Sequence, residues 1–178
     1  IAARLGKVQD VLMRITPGVE ADTHEYIRTG CEDSKFGFTM KNDFAFNCVG
    51  DVLAAENVRL LGFHCHIGSQ IFALTSFREA VQVMTEFVLR VKEKYGFVTK
   101  ELDMGGGLGI AYTADDRPSS IDEFAECTVS AVRDFCAHYQ LEEPRIMVEP
   151  GRSLVANAGV TLYTVGILKT LPGIRKYI

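Results

Sequence analysis

Three short runs hold the residues whose types and spacing can do chemistry. The first is His64-Cys65-His66-Ile67-Gly68-Ser69-Gln70, at the end of an apolar stretch. His64 and His66 are two residues apart, so on a strand both face the same side. Such a pair can ligate zinc. Alternatively, His66 is a flat ring lying against an aromatic ligand, with the Ser69 hydroxyl and loop amides holding an anion. The bland alternative is two hydrogen-bonded interior histidines. Metal is the least supported of these, because the other histidines are only His24 and His138 and no cysteine pair has CxxC spacing.

The second run is Leu102-Asp103-Met104-Gly105-Gly106-Gly107-Leu108-Gly109. Consecutive glycines after a strand let backbone N–H groups converge on an anion without side chains in the way, so Gly105, Gly106 and Gly107 form a candidate phosphate cradle. A tight turn with no ligand explains the same residues. No GxGxxG or GK[ST] accompanies them, which excludes a dinucleotide fingerprint and a Walker loop. Asp103 reads as a buried structural carboxylate with a basic partner. The third run, Val148-Glu149-Pro150-Gly151-Arg152, puts a carboxylate at a strand end and turns the chain so that Arg152 returns toward it. An ion pair between Glu149 and Arg152 pinning a turn is the alternative. Together, phosphate donors, a stacking imidazole and a carboxylate suit a cofactor with a phosphate, an aromatic ring and a ring nitrogen. Pyridoxal phosphate has all three.

The elements that position these runs are legible from apolar patterning. Val11 to Ile15, Leu60 to Ile67, Glu101 to Met104 and Arg145 to Glu149 read as buried strands, with starts 49, 41 and 44 residues apart. Between the second and third, Phe77, Ala80, Val81, Met84, Phe87, Val88 and Val91 form one helical face over 76–95, with Ser76 and Glu79 at capping-box spacing and Gly96 as its stop. Ser120 and Glu123 repeat the device before a helix that runs out near His138. A weaker helix starts near Asn42 or Asp43 and carries Phe46, Val49, Val52 and Leu53, with Gly50 in its interior. Alternating strands and helices at this period predict an α/β fold with parallel strands. Four such units are half of an eight-stranded barrel or most of an open doubly wound sheet. Chemistry after three successive strands favours the barrel, whose C-terminal loops ring one pocket. From Val160 the sequence alternates apolar and polar residues, predicting a β-rich region, and the boundary is placed near 158–159.

Composition limits the partners. The chain has 178 residues, a net charge of −4, 47% hydrophobic and 24% charged residues, the proportions of a folded chain. No block of Lys or Arg offers the footprint that nucleic acid needs, and no apolar run is long enough for a membrane span. Small molecules are the expected ligands. The five cysteines, Cys31, Cys48, Cys65, Cys127 and Cys136, read as free thiols in a reducing, cytoplasmic compartment, or a plastid if the source is a plant.

The runs Gly62-Phe63-His64-Cys65-His66-Ile67-Gly68-Ser69-Gln70-Ile71, Leu102 to Gly107 and Glu149-Pro150-Gly151-Arg152, in this order, resemble the diaminopimelate decarboxylase family. That family belongs to the alanine racemase-like group of pyridoxal phosphate enzymes, with the eukaryotic ornithine decarboxylases. Arg14-Ile15-Thr16-Pro17-Gly18-Val19 and Glu32 to Phe38 extend the match to nearly the whole chain. The HCHIGSQ run and the stretch around Ser34-Lys35-Phe36-Gly37 lean toward the diaminopimelate branch. The resemblance implies the second half of a pyridoxal-phosphate-binding (β/α)8 barrel over 1–158 and the start of a C-terminal β domain over 159–178. It implies that His66 stacks on the pyridine ring and that Ser69, Gly105, Gly106 and Gly107 hold the phosphate. Glu149 would contact the ring nitrogen, and Gly151 and Arg152 would complete the cofactor site, with Arg152 on the phosphate or on the distal carboxylate of the substrate.

The implied activity is a carboxy-lyase reaction, decarboxylation of meso-diaminopimelate to lysine, by a homodimer. Alternatives are a decarboxylase acting on ornithine, arginine or carboxynorspermidine, a catalytically silent relative, and a metal-dependent hydrolase using His64 and His66. The family's cofactor-bonding lysine and its substrate-loop cysteine are expected to lie outside this sequence, and the segment alone is not expected to catalyse. Lys35 reads as a structural or interface ion-pair residue.

Overall fold

The computed structural model describes residues 1–19 and 35–178. His24, Cys31 and the Glu32–Ser34 portion of the quoted runs lie outside the described residues. Five parallel strands form the main sheet: β1 (Gln9–Thr16), β2 (Phe38–Thr39), β3 (Val58–His64), β4 (Glu101–Asp103) and β5 (Arg145–Met147), in the order β2-β1-β3-β4-β5. The crossovers are α1 (Phe44–Leu53), α2 (Leu74–Tyr95) and α3 (Ile121–His138). All four expected strands and all three expected helices are therefore present, with β2 added at the edge.

One face of the sheet is closed by helices. Met13, Phe63 and Leu102 share a register row and are buried. Phe63 meets Phe87 of α2 edge-on at 5.0 Å, Phe46 of α1 meets Phe87 at 6.2 Å, and Phe77 of α2 meets Phe124 of α3 at 4.7 Å, the edge-to-face geometry that aromatic quadrupoles favour. The adjacent row, Arg14, His64, Asp103 and Met147, alternates onto the opposite face. β1, β3, β4 and β5 run in chain order, with the two-residue β2 out of sequence at the edge, and α1, α2 and α3 pack side by side on the Phe63 face. Helices on one face only are the arrangement of a barrel wall, whereas a doubly wound sheet carries them on both faces.

Two expectations need correction. α2 starts at Leu74 after Ala73, without a side-chain cap, so Ser76 is buried inside the first turn and does not pair with Glu79. The apolar face begins a turn earlier than the capping motif implies, because Leu74 packs against the core. At α3 the box is real: Ser120 accepts from the Glu123 amide while the Glu123 carboxylate accepts from the Ser120 amide. Those bonds hold the Glu123 carboxyl below its ordinary value. The β-rich region expected from Val160 starts later: 160–165 form no strand, Leu162 and Tyr163 are almost fully exposed, and antiparallel pairing begins at β6 (Lys169–Leu171) with β7 (Arg175–Tyr177). Alternating residues make a strand only where a neighbour supplies ladder partners, and among the described residues β6 and β7 pair with each other alone.

Candidate functional site

The polar groups sit where β3, β4 and β5 end. Ladder bonds continue past each strand: the Cys65 amide donates to Asp103 O at 2.9 Å, Met104 to Met147 O at 2.9 Å and Glu149 to Gly105 O at 2.7 Å. This extension carries the Arg14, His64 and Asp103 face forward by two residues to His66, Gly105 and Glu149. Three sequence-remote runs therefore converge at one end of the sheet.

His66 is fixed by a backbone donor. The Gly106 amide donates to its Nδ1 at 3.2 Å, so Nδ1 carries no proton and the neutral ring holds its proton on Nε2. Burial first, then the charges of Arg14 and His64, keep His66 below the ordinary imidazole value of 6.5, with Glu149 and Asp103 opposing more weakly. The group is a flat, neutral ring at neutral pH, and among the described residues His66 does not join the ligand-type atoms that gather around His64. Instead, His64 Nε2 lies 3.3 Å from Glu149 Oε2. The ligand-type atoms that do gather are those of His64, Asp103 and Glu149, within 4.8 Å of one another.

The three glycines behave differently from the expected amide cradle. The Gly105 amide donates to Asp103 Oδ1 at 2.8 Å and the Gly106 amide to His66. Only the Gly107 amide is left without an acceptor among the described residues. The glycines are required by close approach: a Cβ at Gly105 would overlap the Cys65 carbonyl oxygen, at Gly106 the Glu149 carbonyl oxygen and at Gly107 the Gly68 carbonyl oxygen. Asp103 is buried as expected, but its partner among the described residues is the Gly105 amide rather than a base. Lys35 lies 5.2 Å from the Phe36 ring centroid and makes no ion pair among the described residues.

The alternative, a Glu149–Arg152 ion pair, is not formed. Glu149 faces His64, while Arg152, at the start of the one-turn α4 (Arg152–Val155), donates through Nε to Ser69 Oγ at 3.0 Å and through Nη1 to the Tyr112 hydroxyl at 2.5 Å. A guanidinium has five N–H donors, so several remain for an anion. Ser69, Arg152 and the Gly107 amide thus offer phosphate donors at one side, with the His66 ring and the Glu149 carboxylate at the other. That donor set fits pyridoxal phosphate. Cys65, between the two histidines, is buried and its thiol is pushed up to about 12, by burial first and then by Asp103, so it is no nucleophile. A separate, largely apolar hollow lined by Gly106, Gly107, Phe124, Val129, Ile146 and Val148 takes in none of the His66, Ser69, Glu149 and Arg152 side chains.

Sequence reasoning missed three participants. Arg14 biases His66, Tyr112 braces Arg152, and Gln70, at a positive φ of 59°, clamps Ile110 through both amide atoms at 2.7 and 3.2 Å. Gln70 lay within a quoted run, but no pattern marked it as a loop clamp, and nothing in the spacing marks Tyr112.

Residues 1–156 match the family model described as the pyridoxal binding domain of pyridoxal-dependent decarboxylases. The chain is 50% identical over 169 residues to diaminopimelate decarboxylase of Bacillus subtilis, covering 95% of this chain and 38% of that protein. It is 41% identical to diaminopimelate decarboxylase of Synechocystis over its full length, which is 37% of that protein. The crystal structure of the M. jannaschii diaminopimelate decarboxylase in complex with L-lysine superposes with a TM-score of 0.79 at 35% identity, over 98% of this chain and 39% of that one. The chain thus spans a little over a third of its relatives, and its sheet is part of their barrel domain. It belongs to the pyridoxal-dependent decarboxylases, as a portion of their pyridoxal-binding domain.

Proposed function

We propose that this chain forms one wall of the cofactor site in an enzyme that decarboxylates meso-diaminopimelate to lysine. The observation that carries the reading is the convergence of His66, Ser69, Gly107, Glu149 and Arg152 at one end of the sheet, on the face the helices leave open. The relatives' names supply the substrate, and the L-lysine in a related crystal structure is the product such a reaction would release.

The bound cofactor supplies an electron-accepting ring for the pair released when carbon dioxide leaves the α-carbon. The residues here do the rest. Ser69, Arg152 and the Gly107 amide would bind the phosphate, and a planar guanidinium suits either that group or the distal carboxylate of the substrate. His66, neutral and fixed through Nδ1, would lie against the ring. Glu149, a carboxylate beside the ring nitrogen, would keep that nitrogen protonated. Gly105 and Gly106 act by allowing close packing of the loop rather than by donating to the phosphate, and Gly151, with open space around its α-carbon, lets the chain turn beside it.

Residues 159–178 are taken as the start of a separate β domain, supported by a hairpin that pairs with no strand of the main sheet. A homodimer is proposed from the family resemblance. Among the described residues no helix is long and apolar enough to cross a membrane. The test is carbon dioxide release from meso-diaminopimelate by the intact protein, with ornithine, arginine and carboxynorspermidine as competitors. Release from diaminopimelate dependent on pyridoxal phosphate is expected. Preference for another amine acid, or no turnover with cofactor bound, would overturn the reading.

A further inference from the structure

We propose that His64 is a positioning residue for Glu149: its Nε2 holds one carboxylate oxygen so that the other is free for the ring nitrogen of the cofactor. The inference rests on the cofactor reading above and adds a residue to it.

Glu149 needs such a partner. It follows the three-residue β5, and its side chain is 56% exposed among the described residues. Among the described residues its backbone is tied by one bond, the amide to Gly105 O. A glutamate so placed has several rotamers open to it, and fixing one costs side-chain entropy. His64 is the opposite kind of residue. It ends β3, in the middle of the sheet, its side chain is 14% exposed, and its register neighbours are Arg14 on β1 and Asp103 on β4. The 3.3 Å contact from Nε2 to Glu149 Oε2 joins a fixed donor to a loose acceptor. Among the described residues no other side chain hydrogen-bonds this carboxylate. An Nε2–H donor is present both in the protonated imidazole and in the neutral tautomer that carries its proton there, so the contact does not require a charged ring.

The experiment compares His64→Phe, His64→Gln and His64→Asn in the intact protein, alone and with Glu149→Gln. A lost hydrogen bond to a charged group predicts a fall in kcat of about tenfold or more for the Phe variant. KM and cofactor affinity should stay within about threefold, and the absorbance of the bound cofactor should shift because its ring nitrogen has lost a fixed anion. Gln, whose amide reaches the Nε2 position, should restore most of both readouts; Asn should not. In the Glu149→Gln background His64→Phe should add less than about twofold, since the two residues act through one contact. Should the Phe variant fail to fold, the Gln and Asn comparison stands in its place. Equal losses in both backgrounds, or Asn matching Gln, would overturn the proposal. If the wild-type protein takes up no pyridoxal phosphate, the cofactor reading itself falls and takes this inference with it. If cofactor binds and Glu149→Gln loses turnover while every His64 variant is silent, only the role of His64 falls.

Discussion

The loops after β4 and β5 lie side by side and obey opposite rules. Gly105 and Gly106 are buried, their amides are spent on Asp103 and His66, and a Cβ on either would run into a neighbouring carbonyl oxygen. Glu149, Pro150 and Gly151 are exposed, and a Cβ at Gly151 meets nothing within 4 Å. The first loop is shaped by packing and the second is open to a ligand. Similar glycines therefore have different reasons, and a glycine-rich run after a strand is poor evidence for phosphate contact until its amides are traced to their acceptors.

The largest expected effect lies in the open loop. Glu149→Ala should lower kcat at least a hundredfold, the scale of losing one preorganised electrostatic partner, while cofactor affinity changes by less than about tenfold. Steady-state kinetics and cofactor titration of the intact protein measure the two. Equal losses of binding and turnover would contradict the assignment.

Gly106→Ala tests the packed loop. Overlap with the Glu149 carbonyl should cost about 3 kcal/mol in urea denaturation, with cofactor binding lost as a consequence of the displaced backbone. A variant as stable as the wild type would show that the loop is looser than its contacts indicate.

A smaller effect comes from His66. Its folded pKa is below its unfolded value, so between the two the unfolded chain binds more protons and stability rises with pH. The contribution is present above about 6.5 and is lost as pH falls through the depressed folded value. Denaturation midpoints at pH 7.5 and 5.5 should therefore differ less in His66→Phe than in the wild type. An unchanged difference would remove the imidazole from the account.

The smallest expected change is in Gly151→Ala. Stability should stay within about 0.5 kcal/mol of the wild type, as for surface sites free of special contacts, while cofactor affinity weakens if a ligand abuts that α-carbon. A large loss of stability would erase the contrast between the two loops.

Much of the scaffold was legible because each strand and helix is coded locally. Apolar runs gave β1, β3, β4 and β5, and the Ser120–Glu123 spacing gave the start of α3. The start of α2 was misplaced because Leu74, an ordinary apolar residue, sets it ahead of the apparent cap. Gly50 looked like a cost to α1, yet a Cβ there would crowd the Tyr95 ring, whose hydroxyl donates to Phe46 O. The site residues themselves were visible as motifs, but their pairings were not. His64 and Glu149 are 85 positions apart, and Arg152 reaches Ser69 across 83. Spacing along a chain says which face a side chain takes on its own strand. It does not say which residue from another strand will meet it.

The most direct test of the account is a crystal structure of the intact protein grown with pyridoxal phosphate. The account predicts density for the phosphate against Ser69, Arg152 and the Gly107 amide, the ring against His66, and its nitrogen at the Glu149 carboxylate. Cofactor bound elsewhere, or a ring with Glu149 turned away from its nitrogen, would contradict it.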